Sequence, residues 1–224
     1  VKDSMTLEVQ QDEYAQALDN LPSILQDSYD KMKVICKTDP DFSYTNAVAN
    51  RMRAFYLMQW KSKTFLGKRV AQSGSDFFVE TILFFLKLFN DVESLNLEIS
   101  SERPIERKHK AMRPDISVWR ESDLLAVIEC KTQLGWSRKT WKSDFEHRER
   151  ELEKKFPNNV ETFLVVMSSS NWPGFGEDPQ IGKQLFCLLK NTWPTQLSTP
   201  PEQNMLYPTP IEDLFKQIAD LSQV

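Results

Sequence analysis

Two short runs of this 224-residue chain are the best equipped for chemistry: Arg113-Pro114-Asp115 and, after thirteen intervening residues, Glu129-Cys130-Lys131. Asp115 opens a stretch of period-two pattern, 115–119, and Glu129 sits late in a second, 124–132. The polar break Glu121-Ser122-Asp123 between them has hairpin length. Antiparallel pairing brings the start of one strand beside the end of the next. Along the second strand Glu129, Lys131 and Gln133 share a face, while Ile128, Cys130 and Thr132 point the other way. Two carboxylates, an ammonium and an amide therefore converge at one end of a sheet. Neighbouring carboxylates repel, and each resists losing water. A divalent cation relieves both costs, and oxygen donors without a thiolate or imidazole suit Mg²⁺ or Mn²⁺. Such an ion polarises a phosphoryl oxygen and lowers the pKa of an attacking water. Lys131 beside it would orient or deprotonate that water, or stabilise charge building at phosphorus. The plainer reading of the same residues is an ion pair of Lys131 with Asp115 or Glu129, or a capping role.

The rest of the pattern supplies elements to hold these residues. Tyr14, Ala17, Leu18 and Leu21 recur at helical spacing and predict a first helix ending near Pro22. A second is expected over about 45–61. Ser73-Gly74-Ser75-Asp76 has the composition of a helix start, and the following FFVETILFFLKLF is apolar nearly all round, as in a helix buried between layers. Period two then takes over at 95–100, 115–119, 124–132 and 162–168, with a charged helical stretch at roughly 139–156 before the last of these. LLAVI is apolar without alternation, which suits a strand buried on both faces. The expected class is α/β, a mixed sheet flanked by helices. Three parts are expected: a helical extension over 1–70, a core over 71–172, and an extension over 173–224 packing on that core. The last holds 7 of the 12 prolines, the apolar run QLFCLL and a final helix. For that helix Thr209-Pro210-Ile211-Glu212 reads as N-cap, first helical position and capping-box acid.

Composition narrows the function. The three cysteines form no CxxC pair, which removes zinc ribbons and thioredoxin-like chemistry, and their sparseness suits a reducing, cytoplasmic setting. With two histidines there is no HExxH, and GxSxG, GxxxxGK[ST] and GxGxxG are absent as well. No apolar run approaches the roughly 18 residues that span a bilayer, so no membrane partner is expected. No signal peptide is recognisable, and a first residue Val reads as a trimmed chain or a piece of a longer one. The net charge of −4 is unevenly spread: residues 51–70 carry +6 and residues 101–150 carry +3. An acidic total therefore leaves room for a polyanionic partner. Arg103, Arg107, Lys108, Lys110 and Arg113 precede Asp115, and Arg138, Lys139 and Lys142 follow the Glu129 strand. As flanks of a phosphodiester site they are candidates to grip DNA phosphates, although singly each reads as a solvated charge. Trp136 and Trp141 offer stacking surfaces, a role to weigh against ordinary core packing.

Pro114-Asp115 with Glu129-Cys130-Lys131 resembles the PD-(D/E)XK nuclease superfamily, whose fold is that of restriction endonucleases. The predicted order of helix, strand, hairpin strand, motif strand, helix and strand over roughly 73–168 is similar to the core of that family. The resemblance implies that Asp115 and Glu129 hold the metal with the backbone carbonyl of Cys130, and that Lys131 is the catalytic lysine. It makes Glu80 a further ligand from the preceding helix and matches Gln133 to the glutamine some members carry. It implies a Mg²⁺-dependent endonuclease that hydrolyses DNA and leaves a 5′-phosphate, acting in many relatives as a homodimer. Size and decorations point first to a type II restriction endonuclease. Recombination, repair or transposon-end nucleases of the same fold stand next, and a non-catalytic nucleic-acid-binding module is the rival of another class.

Overall fold

The computed structural model describes residues 12–107, 111–134, 139–156, 160–172 and 175–223. Its architecture is mixed α/β, with five helices and a five-stranded mixed sheet among the described residues. The strands are β1 (Glu98–Ser101), β2 (Ile116–Arg120), β3 (Asp123–Lys131), β4 (Glu161–Ser168) and β5 (Leu185–Leu189), and they lie side by side in chain order. β1, β2 and β3 form an antiparallel meander, while β4 and β5 add in parallel. A parallel step requires a crossover, and the one between β3 and β4 runs through α4 (Trp141–Glu153). The polar break at 121–123 turns the β2–β3 hairpin, with Glu121 in the left-handed region at φ 54°.

β3 is central, and its run from Ala126 to Ile128 is buried throughout. Trp141, Phe145 and Leu152 of α4 cover one face of the sheet against Val127, Leu164, Val166, Leu185 and Cys187. The alternate residues fall to α3 (Ser75–Glu93) and α5 (Pro210–Gln223), the other helices that meet β3. Nearly every position of α3 that faces inward is aromatic or aliphatic, including Phe78, Ile82, Phe85, Leu86 and Leu88. Trp141 is core, edge-on to Phe145 and Trp172, rather than a free stacking surface.

Several boundaries differ from expectation for identifiable reasons. The first helix, α1 (Glu13–Thr38), passes through Pro22. The proline removes one N–H from the ladder, but Asp12 caps the start by accepting from the Ala15 N–H at 2.7 Å, and no Gly or second Pro interrupts the next sixteen residues. Compact packing divides the chain into two units, Val1–Phe42 and Ser43–Val224. α2 (Tyr44–Phe65) and the proline-rich tail thus belong with the sheet, and the tail supplies β5 as its fifth strand. α3 begins where the small polar run places it, but Gly74 at its N-cap offers no side-chain hydrogen bond. The capping box of α5 does not form either. Thr209 is left-handed at φ 47° and donates to the Asp213 carboxylate at 3.1 Å. Glu212 turns away to accept from Ser43 Oγ at 2.9 Å and from the Thr45 N–H at 3.0 Å, capping α2 instead.

Cys130 and Cys187 are buried and Cys36 is half-buried. Burial, aided by the Asp115 and Glu129 carboxylates, holds the Cys130 thiol well above its ordinary range, and burial does the same for Cys187. A colorimetric thiol titration at pH 8 is therefore expected to consume one equivalent in the native protein and all three after denaturation. Three fast-reacting thiols in the native state would contradict this packing.

Candidate active site

The antiparallel register pairs Ile116 with Ile128. One step further along that register sets Asp115 beside Glu129, so the convergence follows directly from the hairpin. Asp115 Oδ2 accepts the Cys130 N–H at 2.8 Å, which fixes the carboxylate at the end of β3. Lys131 Nζ lies 3.1 Å from Glu129 Oε2 and 3.6 Å from Asp115 Oδ2, one ammonium between two carboxylates. The side chain of Glu129 is only 12% exposed and that of Asp115 27%, so neither charge is freely hydrated. Burial pulls the Lys131 amine down, but Glu129 and Asp115 outweigh it and hold the pKa above the usual lysine value. At neutral pH Lys131 is a cation and a hydrogen-bond donor.

A cavity of about 560 Å³ opens at this end of the sheet. Asp115, Cys130, Lys131, Thr132 and Gln133 form one wall, and Asp76, Val79 and Glu80 of α3 form another. Glu80 is exposed at that wall, one helical turn beyond Asp76. Ser101, which ends β1, and Glu102 just beyond it lie on the rim. Asp115, Lys131, Gln133, Glu80 and Cys130 thus border one space, and Glu129 is tied to it through Lys131. Among the described residues, however, no three Asp, Glu, His or Cys side chains stand close enough together to hold a metal ion as they are placed.

The α3 wall is set by close packing. A Cβ at Gly74 would lie 2.5 Å from the Tyr56 hydroxyl of α2, so only glycine lets the start of α3 approach there. Tyr56 in turn hydrogen-bonds the side chain of Thr132, and burial raises the phenol pKa against that bond. Arg51 of α2 lies over the ring of Phe84 at 3.8 Å. Burial lowers its pKa, partly offset by the pull of Glu80.

The basic candidates separate. Arg103 pairs with Glu98 at 2.6 Å and lies over the Trp119 ring at 4.5 Å, so its charge is already engaged. Arg113 reaches the carbonyl of Glu102 on the cavity rim at 3.5 Å. Arg107 and Lys139 are exposed, and Lys142 borders a different cavity with Phe145, Glu146 and Gln180. Lys108, Lys110 and Arg138, like Trp136, lie outside the described residues.

Arg148 of α4 escapes the sequence reading, yet it pairs directly with Glu129 Oε1. A signal for it exists. Trp141, Phe145, Arg148 and Leu152 recur at helical spacing, so an arginine occupies the stripe that α4 turns to the sheet. Asp76 and Glu102 also escaped, because nothing in their local pattern ties them to Asp115. No protein-family model, curated protein or solved structure matches the chain.

Proposed function

We propose that this chain is a Mg²⁺-dependent endonuclease of the PD-(D/E)XK type that hydrolyses DNA phosphodiester bonds, with a type II restriction endonuclease as the leading subtype. One observation carries the reading: Asp115, Glu129 and Lys131 meet at the end of β3, beside a cavity large enough to admit part of a substrate. The order α3, β1, β2, β3, α4, β4 supports it, because it repeats the arrangement expected around such a motif.

The charge of the cavity bears on the cofactor. Asp76, Glu80, Glu102 and Asp115 line it with Lys131 as the one lining cation among the described residues. A phosphodiester is itself anionic, so such a wall repels it unless further positive charge is present. Asp115, Glu129 and the Cys130 carbonyl, with Glu80 across the cavity, are hard oxygen donors. Oxygen donors of this kind suit Mg²⁺ or Mn²⁺ better than Zn²⁺. When bound, the ion supplies Lewis-acid polarisation of the phosphoryl oxygen and a more acidic water. The chain's own residues do the rest. Asp115, held by the Cys130 N–H, is preorganised. Lys131, protonated, donates hydrogen bonds to oxygens that gain negative charge during displacement. Gln133, two residues on, is placed to orient a phosphate oxygen or a water.

The test is cleavage of plasmid, linear, single-stranded and branched DNA with Mg²⁺, Mn²⁺ or EDTA. Cutting of at least one form that requires the divalent ion is the expected result. Binding without turnover, unaffected by Lys131→Ala, would overturn the catalytic reading in favour of a binding module.

A further inference from the structure

An arginine on the inward stripe of a helix carries a desolvation cost that only a partner offsets. Arg148 meets it with Glu129 Oε1, and the two side chains are 28% and 12% exposed. Glu129 Oε2 is left to Lys131 at 3.1 Å. The helix carrying the guanidinium is anchored beside this contact. Glu149 Oε1 accepts from Thr162 Oγ1 of β4 at 2.6 Å and from Gln184 Nε2 just before β5. Trp141, Phe145 and Leu152 bury the rest of that stripe.

We propose that Arg148 is a positioning residue for Glu129. It holds one carboxylate oxygen so that the other faces Lys131 and Asp115, and thereby sets the affinity of the site for its divalent ion. The assignment rests on the metal-dependent reading above. Without Arg148, the nearly buried Glu129 carboxylate has Lys131 as its remaining ionic partner and turns both oxygens to it, so an incoming metal must break a stronger pair. Arg148 Nη1 makes no directed hydrogen bond, so charge holds the contact. A lysine there should therefore restore part of the effect.

The experiment is Mn²⁺ binding to the full chain, followed by calorimetry and by electron paramagnetic resonance of the free ion. Arg148→Gln is expected to weaken Mn²⁺ binding by about 10–100-fold, the usual cost of losing an outer partner of a metal ligand. Arg148→Met, which keeps packing volume on the stripe, should give the same loss and guards against a glutamine variant that fails to fold. Arg148→Lys should recover at least part of it. Cleavage by the neutral variants should need proportionally more divalent ion yet approach the wild-type rate at saturation. Neutral variants that bind Mn²⁺ as tightly as the wild type, or more tightly, overturn the assignment alone. A wild-type chain that binds no Mn²⁺ overturns the metal-dependent reading, and the assignment with it.

Discussion

Lys131→Ala is expected to lower DNA cleavage by about 10²–10³-fold, the cost of removing one well-placed donor from developing negative charge. The same change should leave the fold nearly intact. The Lys131 side chain is 47% exposed, so its pairs with Asp115 and Glu129 are solvent-screened and contribute at most about 1 kcal/mol. For a chain of this size that corresponds to a fall in Tm of about 2–4 °C. Removing the ammonium also removes a competitor for the two carboxylates, so Mn²⁺ should bind at least as tightly as to the wild type. The combination of lost turnover, kept melting temperature and kept metal affinity distinguishes a catalytic lysine from a structural ion pair. A variant that still cuts at the wild-type rate would assign Lys131 to the plain salt bridge.

The largest effect on stability is expected at Glu212. Its carboxylate accepts from Ser43 Oγ, from the Thr45 N–H and from Thr45 Oγ1 at 2.5 Å, while Thr45 Oγ1 itself accepts the Ile211 N–H at 3.2 Å. The N-termini of α2 and α5 are thus joined through one acid and one buried hydroxyl. Glu212→Ala removes three charge-assisted acceptor contacts at once, one of them to the Thr45 N–H in the first turn of α2, and leaves only the Ser43 hydroxyl capping that helix, a loss of about 3 kcal/mol. The expected fall in Tm is about 6–12 °C, read by circular dichroism. Glu212→Gln keeps an acceptor and should lose about half as much. A loss under about 1 kcal/mol for the alanine variant would mean that water replaces the carboxylate without cost.

How much of this was legible beforehand varied with the range of the interaction. The meeting of Asp115 and Glu129 was legible because a hairpin is local: a polar break between two alternating runs fixes which residues face each other. The sheet strands were legible for the same reason, and the buried run of β3 through its lack of alternation. β5 was visible only as an apolar run, since nothing local says which strand it joins. Pro22 misled because helix propensity counts the missing N–H but not the capping by Asp12 or the helix-forming residues that follow. Thr209 to Glu212 misled in another way. The motif is real as a pattern, but Glu212 found better partners on a helix 167 residues away, and no window of sequence contains that choice. Arg148 shows the opposite case, a charged residue whose place on an apolar stripe was the clue, hidden by the many other charges of the same helix.

The bridge from Glu212 back to Thr45 also bears on biosynthesis. Its two ends are 167 residues of synthesis apart, so α2 and α3 are made well before α5 and keep part of their apolar surface unsealed until α5 has emerged. A chain interrupted just before Pro210 would lack the lid that α5 lays over β5 and make a strong claim on chaperones.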